Sequence, residues 1–193
     1  MAPDRQFWEE RYHRGDTPWD VGGASTPLRA YIDQLEDRDL RILFPGAGRA
    51  YEAEHAHRRG FRNVFVLDLT DAPLQDLLRR CPDFPRDHLL VGDLFTHTGT
   101  YDRIVEQTCF CAIDPALRPD HVRAMHRMLR PGGRLVGVLF DDPLNRDRPP
   151  FGGSQAEYER LFRPLFPRVR FARCHNSIGP RSGRELWMDA PRD

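Results

Sequence analysis

The chain has 193 residues, about one domain on the usual length prior, and can bury a core without disulfide or metal staples. Its 29 basic and 29 acidic side chains cancel, so no global field draws nucleic acid or an anionic membrane. Every Lys/Arg position is arginine, which excludes Schiff-base or lysine-base chemistry.

In chain order, residues Arg5 to Arg14 read as a short helix carrying Phe7, Trp8 and Tyr12, and an aromatic, turn-rich loop follows from Gly15 to Gly23. Thr26 is the expected cap of a second helix with Pro27 at its first position, running to about Leu35. Strands are predicted near 41–44, 63–67, 88–91, 102–109, 134–140, 167–174 and 184–189. Helices are predicted near 50–59, 72–80, 120–129 and 155–163. Ser154 and Glu157 have the spacing of a capping box, and Pro131-Gly132-Gly133 reads as a turn into a buried strand. This alternation implies an α/β, Rossmann-like fold: a mainly parallel seven-stranded sheet with helices on both faces. One domain is expected over 1–193, with an N-terminal helical lid at 1–36 and a catalytic core at 37–193. The loop from Asp141 to Gly153 is the longest interruption.

In such a sheet ligands bind at the carboxyl ends of the strands, and four of those ends carry suggestive residues. After the first strand comes Gly46-Ala47-Gly48, where glycine lets the backbone approach a ligand. Asp68 closes the second strand and suits the hydroxyls of a ribose, with Leu69 beside it. Asp93 follows the third strand and offers a carboxylate to an adenine amine, with Leu94 and Phe95 as walls for the ring. Gln107, near the end of the fourth, offers a polar group to the amino-acid end of a cofactor. The third glycine of the dinucleotide fingerprint is replaced by Tyr51. That favours S-adenosyl-L-methionine, which has no pyrophosphate to seat, over a nicotinamide cofactor. Trp8, Tyr12 and Trp19 suit a sulfonium cation, as aromatic cages suit quaternary ammonium groups.

No nucleophile–base pair is evident, so the expected mechanism is one of positioning. Arg148 in the long loop and His175 near the last strands are the candidate catalytic or acceptor-contacting side chains, with Arg184 and Glu185 as further acceptor contacts. His121 and His126 read as surface residues. Cys81, Cys109, Cys111 and Cys174 lack zinc-type pair spacing, and Cys109 and Cys111 are expected on one face of a strand. No metal is expected. With no long apolar run or targeting signal visible, the expected setting is cytoplasmic.

The sequence resembles the thiopurine S-methyltransferase family, in particular its thiol and halide methyltransferase branch. The resemblance rests on Phe7-Trp8-Glu9-Glu10-Arg11-Tyr12, Thr17-Pro18-Trp19-Asp20 and Leu43-Phe44-Pro45-Gly46-Ala47-Gly48. It continues through Tyr101-Asp102-Arg103-Ile104, Phe110-Cys111-Ala112-Ile113-Asp114-Pro115, Arg118-Pro119 and Pro149-Pro150-Phe151. It implies a lid built from Trp8, Tyr12 and Trp19, and a cofactor held near Gly46, Gly48, Asp68, Leu69, Leu94, Phe95 and Gln107. The thiopurine branch carries an arginine where Gln107 stands, which turns the expectation from bulky thiopurines toward a small thiol or sulfide acceptor. Halide, hydrogen sulfide, a selenium species and a thiolated imidazole are alternative acceptors, and a non-catalytic cofactor-binding module is an alternative role.

Overall fold

The apolar run at Arg41–Pro45 forms strand β1 because its side chains can alternate between two cores, one on each face of a sheet. In the computed structural model, which describes residues 3–193, Leu43 enters one core while Ile42 and Phe44 enter the other. Strands β2 (Asn63–Asp68) and β4 (Tyr101–Gln107) flank β1, both parallel to it. Beyond them lie β3 (Leu89–Val91) beside β2 and β5 (Leu129–Phe140) beside β4, again parallel. The last pair, β6 (Arg170–Arg173) and β7 (Glu185–Pro191), runs antiparallel, giving the seven-stranded order β3-β2-β1-β4-β5-β7-β6.

Helices cover both faces. Helices α2 (Thr26–Asp33), α3 (Tyr51–Arg58) and α4 (Ala72–Arg80) place Leu28, Ala53 and Leu77 against one core. Helices α5 (Arg118–Met128) and α6 (Gln155–Phe162) place Met125 and Phe162 against the other. Helix α1 (Arg5–His13) buries no residue of its own in either core; its Asp4 cap accepts from the Phe7 amide at 2.9 Å. The strand order reverses between β1 and β4, where a doubly wound sheet opens a crevice at its carboxyl edge.

Several local expectations are corrected. Ser25, not Thr26, is the N-cap of α2; Thr26 and Pro27 are its first residues, and the Thr26 hydroxyl bonds the Asn176 carbonyl instead. Ser154 accepts from the Glu157 amide at 3.4 Å, but the Glu157 carboxylate turns to Arg118, so the capping box is half formed. Pro131-Gly132-Gly133 lies within β5. The register with β4 slips between Tyr101 and Arg103, and the surplus residues are absorbed as an irregularity. β4 ends at Gln107, so Cys109 and Cys111 share no strand face; Cys109 caps a single 3-10 turn, Phe110–Ala112. β6 is also shorter than predicted. His121 is buried rather than superficial, and burial together with Arg118 pushes its pKa down to about 3. His126 is half-buried, which also lowers its pKa.

Candidate cofactor and acceptor site

Backbone geometry at the tip of β1 explains its glycines. Gly46 and Gly48 adopt φ of 52° and 53°. A Cβ at Gly46 would lie 2.5 Å from the Cys109 sulfur, and one at Gly48 would lie 3.2 Å from the Tyr12 hydroxyl. The glycines therefore let the β4 loop and the N-terminal aromatics close on the turn. Asp68 is buried at the tip of β2. Its Oδ2 accepts from the Gly48 amide at 3.2 Å, and its Oδ1 accepts from the Thr70 amide and hydroxyl at 3.0 and 3.1 Å. Burial raises its pKa, opposed by those hydrogen bonds.

A cavity of about 420 Å³ opens over this turn. Trp8, Tyr12, Trp19, Gly46, Gly48, Asp68, Leu69, Asp93, Leu94 and Phe95 all line it. Asp93 also accepts from the Phe95 amide at 2.9 Å, which fixes the turn that presents Leu94 and Phe95. The roof is an aromatic cluster: Trp19 meets Trp8 edge-on at 5.5 Å and Tyr12 at 5.7 Å. Arg11 lies 4.9 Å from the Trp19 ring. The roof is tied down from both sides, by an Arg49–Asp20 ion pair at 2.5 Å and by Arg181 Nη2 donating to the Trp19 carbonyl at 3.2 Å. The far wall is mainly apolar, from Ile113, Leu117, Phe140, Leu144, Pro149 and Pro150, with Asp114 and Arg184 beside them.

Gln107 faces a second, smaller cavity of about 40 Å³ and does not line the first. Its Oε1 accepts from the Ser25 hydroxyl at 2.9 Å, while the Ser25 amide donates to buried Glu52 at 2.8 Å. Arg49 and Asp20 also line this space, and Trp19, Ala47, Thr108 and Arg181 line both. Of the other sequence candidates, Arg184 lines the large cavity and pairs with Asp142 at 2.5 Å. Glu185 is buried and 3.7 Å from Arg181, so it is not an acceptor contact. Arg148 is exposed beside Asp147, His175 is exposed, and neither lines either of these two cavities.

Sequence reasoning missed Arg181 and Arg49. Arg49 had a signal, since it follows the glycine turn directly; Arg181 sits in an irregular segment with no motif. It also missed the support of the β4 loop. Glu106 is fully buried and accepts from the Phe110 amide at 2.7 Å, while Thr108 takes φ of 60°. Burial pushes the Glu106 pKa up to about 7 and that of Cys111, a cavity-lining thiol, up to about 12. Buried Arg118 braces this loop from behind. It lies 4.8 Å from the Phe110 ring, bonds the Gly152 carbonyl at 2.8 Å and pairs with Glu157 at 2.6 Å.

A glycine turn, a buried carboxylate, apolar walls and an aromatic roof meet at the switch point of this sheet, and the chain is an S-adenosylmethionine-dependent methyltransferase. Solved structures share the fold: a Burkholderia thailandensis 1,6-didemethyltoxoflavin-N1-methyltransferase with bound S-adenosylhomocysteine aligns with a TM-score of 0.77 at 21% identity, covering 97% of this chain and 86% of that one. Magnesium protoporphyrin IX methyltransferase from Synechocystis PCC 6803, with bound SAM, aligns with a TM-score of 0.74 at 10% identity, covering 100% and 99%. The chain belongs to the thiopurine S-methyltransferase (TPMT) family, whose pattern it matches over residues 3–185. Among its relatives, probable thiol methyltransferase 2 of Arabidopsis thaliana is 32% identical over 92% of this chain and 81% of the relative. Thiocyanate methyltransferase 1 of Brassica oleracea is 29% identical over the same shares, and thiopurine S-methyltransferase of Bos taurus is 25% identical over 80% and 74%.

Proposed function

We propose that the chain methylates a small organic thiol in the large cavity, using S-adenosylmethionine bound across the strand tips. The observation that carries this reading is the lining: among the described residues, no histidine or lysine borders either cavity. With no histidine base beside it, an acceptor that ionises unaided near neutral pH is favoured. A thiol is one, because with a pKa of about 8.5 a few per cent is thiolate at neutral pH.

In this reading Asp68 accepts from the ribose hydroxyls, and Asp93, Leu94 and Phe95 hold the adenine. Gln107, in the smaller cavity with Glu52 and Arg49, binds the amino-acid end. S-adenosylmethionine supplies an activated methyl group on a sulfonium. Trp8, Tyr12 and Trp19 face that charge with ring π-systems and exclude water, and the segment up to residue 36 serves as the lid. The apolar far wall orients the acceptor sulfur, and orientation of this kind is worth up to about 7–11 kcal/mol. Zero formal charge supports a small-molecule acceptor over nucleic acid. Four free, buried cysteines support a reducing, cytoplasmic setting. No helix among the described residues is long and apolar enough to cross a membrane.

Incubation with methyl-labelled cofactor and a panel of small thiols is the test. Labelled thioether is expected, with a rate that rises with pH until the thiol pKa is passed. Absence of transfer to every thiol would reject the reading. The resemblance to thiocyanate methyltransferase supports a second reading, in which a small anion is the acceptor. Iodide or thiocyanate would then outcompete thiols, at a rate flat across the thiol pKa.

A further inference from the structure

A cluster outside both cavities joins three side chains from separate parts of the chain. His57 lies in the last turn of α3, Cys81 caps the carboxyl end of α4, and Asp83 stands in the turn that follows. Asp83 is shared between the other two: His57 Nε2 lies 3.1 Å from its Oδ2, and Cys81 Sγ lies 3.3 Å from its Oδ1. One ligand-type atom from each residue lies within 4.8 Å of the other two.

We propose that His57, Cys81 and Asp83 form a binding site for a zinc-type divalent cation, with water as the fourth ligand. Imidazole nitrogen, thiolate sulfur and carboxylate oxygen are the donors zinc takes, whereas magnesium and calcium select oxygen alone. Zinc bonds of about 2.0–2.3 Å give a tetrahedron with edges of about 3.3–3.6 Å. The two contacts of Asp83 use different oxygens, and one donor atom from each residue lies within 4.8 Å of the others, so side-chain rotations would draw the three donors in to that spacing around a cation. The His57 ring is packed 5.0 Å from that of Phe84, which limits its orientation. Cys81 is buried while the Asp83 side chain is 79% exposed, so the site has one soft interior ligand and an open approach. The neighbouring cations Arg58 and Arg80 are both paired with Glu54, which offsets their repulsion of an incoming ion. Bound there, the ion would staple the end of α4 to α3. Sequence spacing hides the site, because only Cys81 and Asp83 are neighbours in the chain.

Titration of the intact chain with cobalt(II) is the test. One equivalent should produce the near-ultraviolet thiolate-to-cobalt band and the visible bands of a four-coordinate ion, and both should vanish on adding zinc. Cys81→Ser should remove the near-ultraviolet band. The exposed-site change Asp83→Asn, and His57→Ala, should each weaken binding by about tenfold or more. Circular dichroism of each variant separates lost binding from lost fold, and Asp83→Asn, at an exposed side chain, keeps the test informative if another variant unfolds. No near-ultraviolet band in the wild-type chain would overturn the proposal. So would a band of full intensity in folded Cys81→Ser, which would assign it to another thiol.

Discussion

Three donors, the Gly48 amide and the Thr70 amide and hydroxyl, converge on buried Asp68 and oppose the burial that raises its pKa. Oδ1 accepts two of these bonds and Oδ2 only one, so Oδ2 still has a lone pair for a ligand hydroxyl. Asp68→Ala should therefore weaken binding of S-adenosylhomocysteine by about 1–3 kcal/mol, read by calorimetry; unchanged affinity would place the ribose elsewhere. Glu106 makes a different prediction. Its folded-state pKa is raised from 4.5 to about 7, chiefly by burial. A raised acid stabilises the fold fully below the unfolded value, and that contribution is lost as pH rises through the folded value. Glu106→Gln keeps an acceptor for the Phe110 amide and removes the ionisation. It should match the wild type in denaturant unfolding near pH 4.5 and exceed it by roughly 2–4 kcal/mol above pH 8. Equal stability at both pH values would mean that Glu106 ionises without cost. These two acids differ in how legible they were. Asp68 stands out because it ends an apolar run at a fixed distance from a glycine turn. Glu106 also ends an apolar run, but without a glycine turn before it, and its side chain turns back to accept from the Phe110 amide beside Gly137 and does not line the cavity.

Among the elements, the aromatic roof and the β4 loop depend on contacts between segments far apart in sequence. Trp19 contributes two edge-on aromatic contacts and a carbonyl bonded by Arg181. Its removal should open the roof: Trp19→Ala should raise KM for the cofactor and lower kcat, about tenfold or more in kcat/KM. Steady-state constants equal to wild type would deny the lid a role. Arg118 joins α5 to α6 and to the long loop through Glu157 and the Gly152 carbonyl. Arg118→Met should lower stability by about 2–4 kcal/mol in urea unfolding, because it removes two charged hydrogen bonds at a buried position. An unshifted midpoint would show that the loop is held without it. Elements with strong periodicity were legible; α4 falls where the sequence puts it. The ends of β4 and β6 were not. An apolar stretch such as Thr108 to Ala112 reads alike as strand or turn; the chain leaves β4 through a positive φ at Thr108, in a loop closed by the Phe110 amide on buried Glu106. His121 was misread for a related reason: polar residue type suggested surface, but its place on α5 faces Phe110 at 5.2 Å.

On the scale of the whole molecule, the large cavity is walled by the N-terminal segment, the tips of β1, β2, β3 and β4, the long loop after β5 and the segment before β7. None of these walls is complete without the others, so a ligand in the cavity binds the assembled fold and not its unfolded chain. Binding of that kind stabilises by mass action: at 100 times the dissociation constant the gain is about 2.7 kcal/mol. For a chain of this size each kcal/mol moves the melting midpoint by about 2–4 °C, so saturating S-adenosylhomocysteine should raise Tm by about 5–10 °C. The same ligand at the same multiple of each variant's own dissociation constant should give an equal shift in Trp19→Ala, since linkage depends on saturation and not on which wall was weakened. Melting midpoints measured with and without ligand, alongside calorimetric affinities, check both statements. A wild-type midpoint indifferent to the ligand would mean that the strand tips, the aromatic roof and Arg181 do not enclose one site.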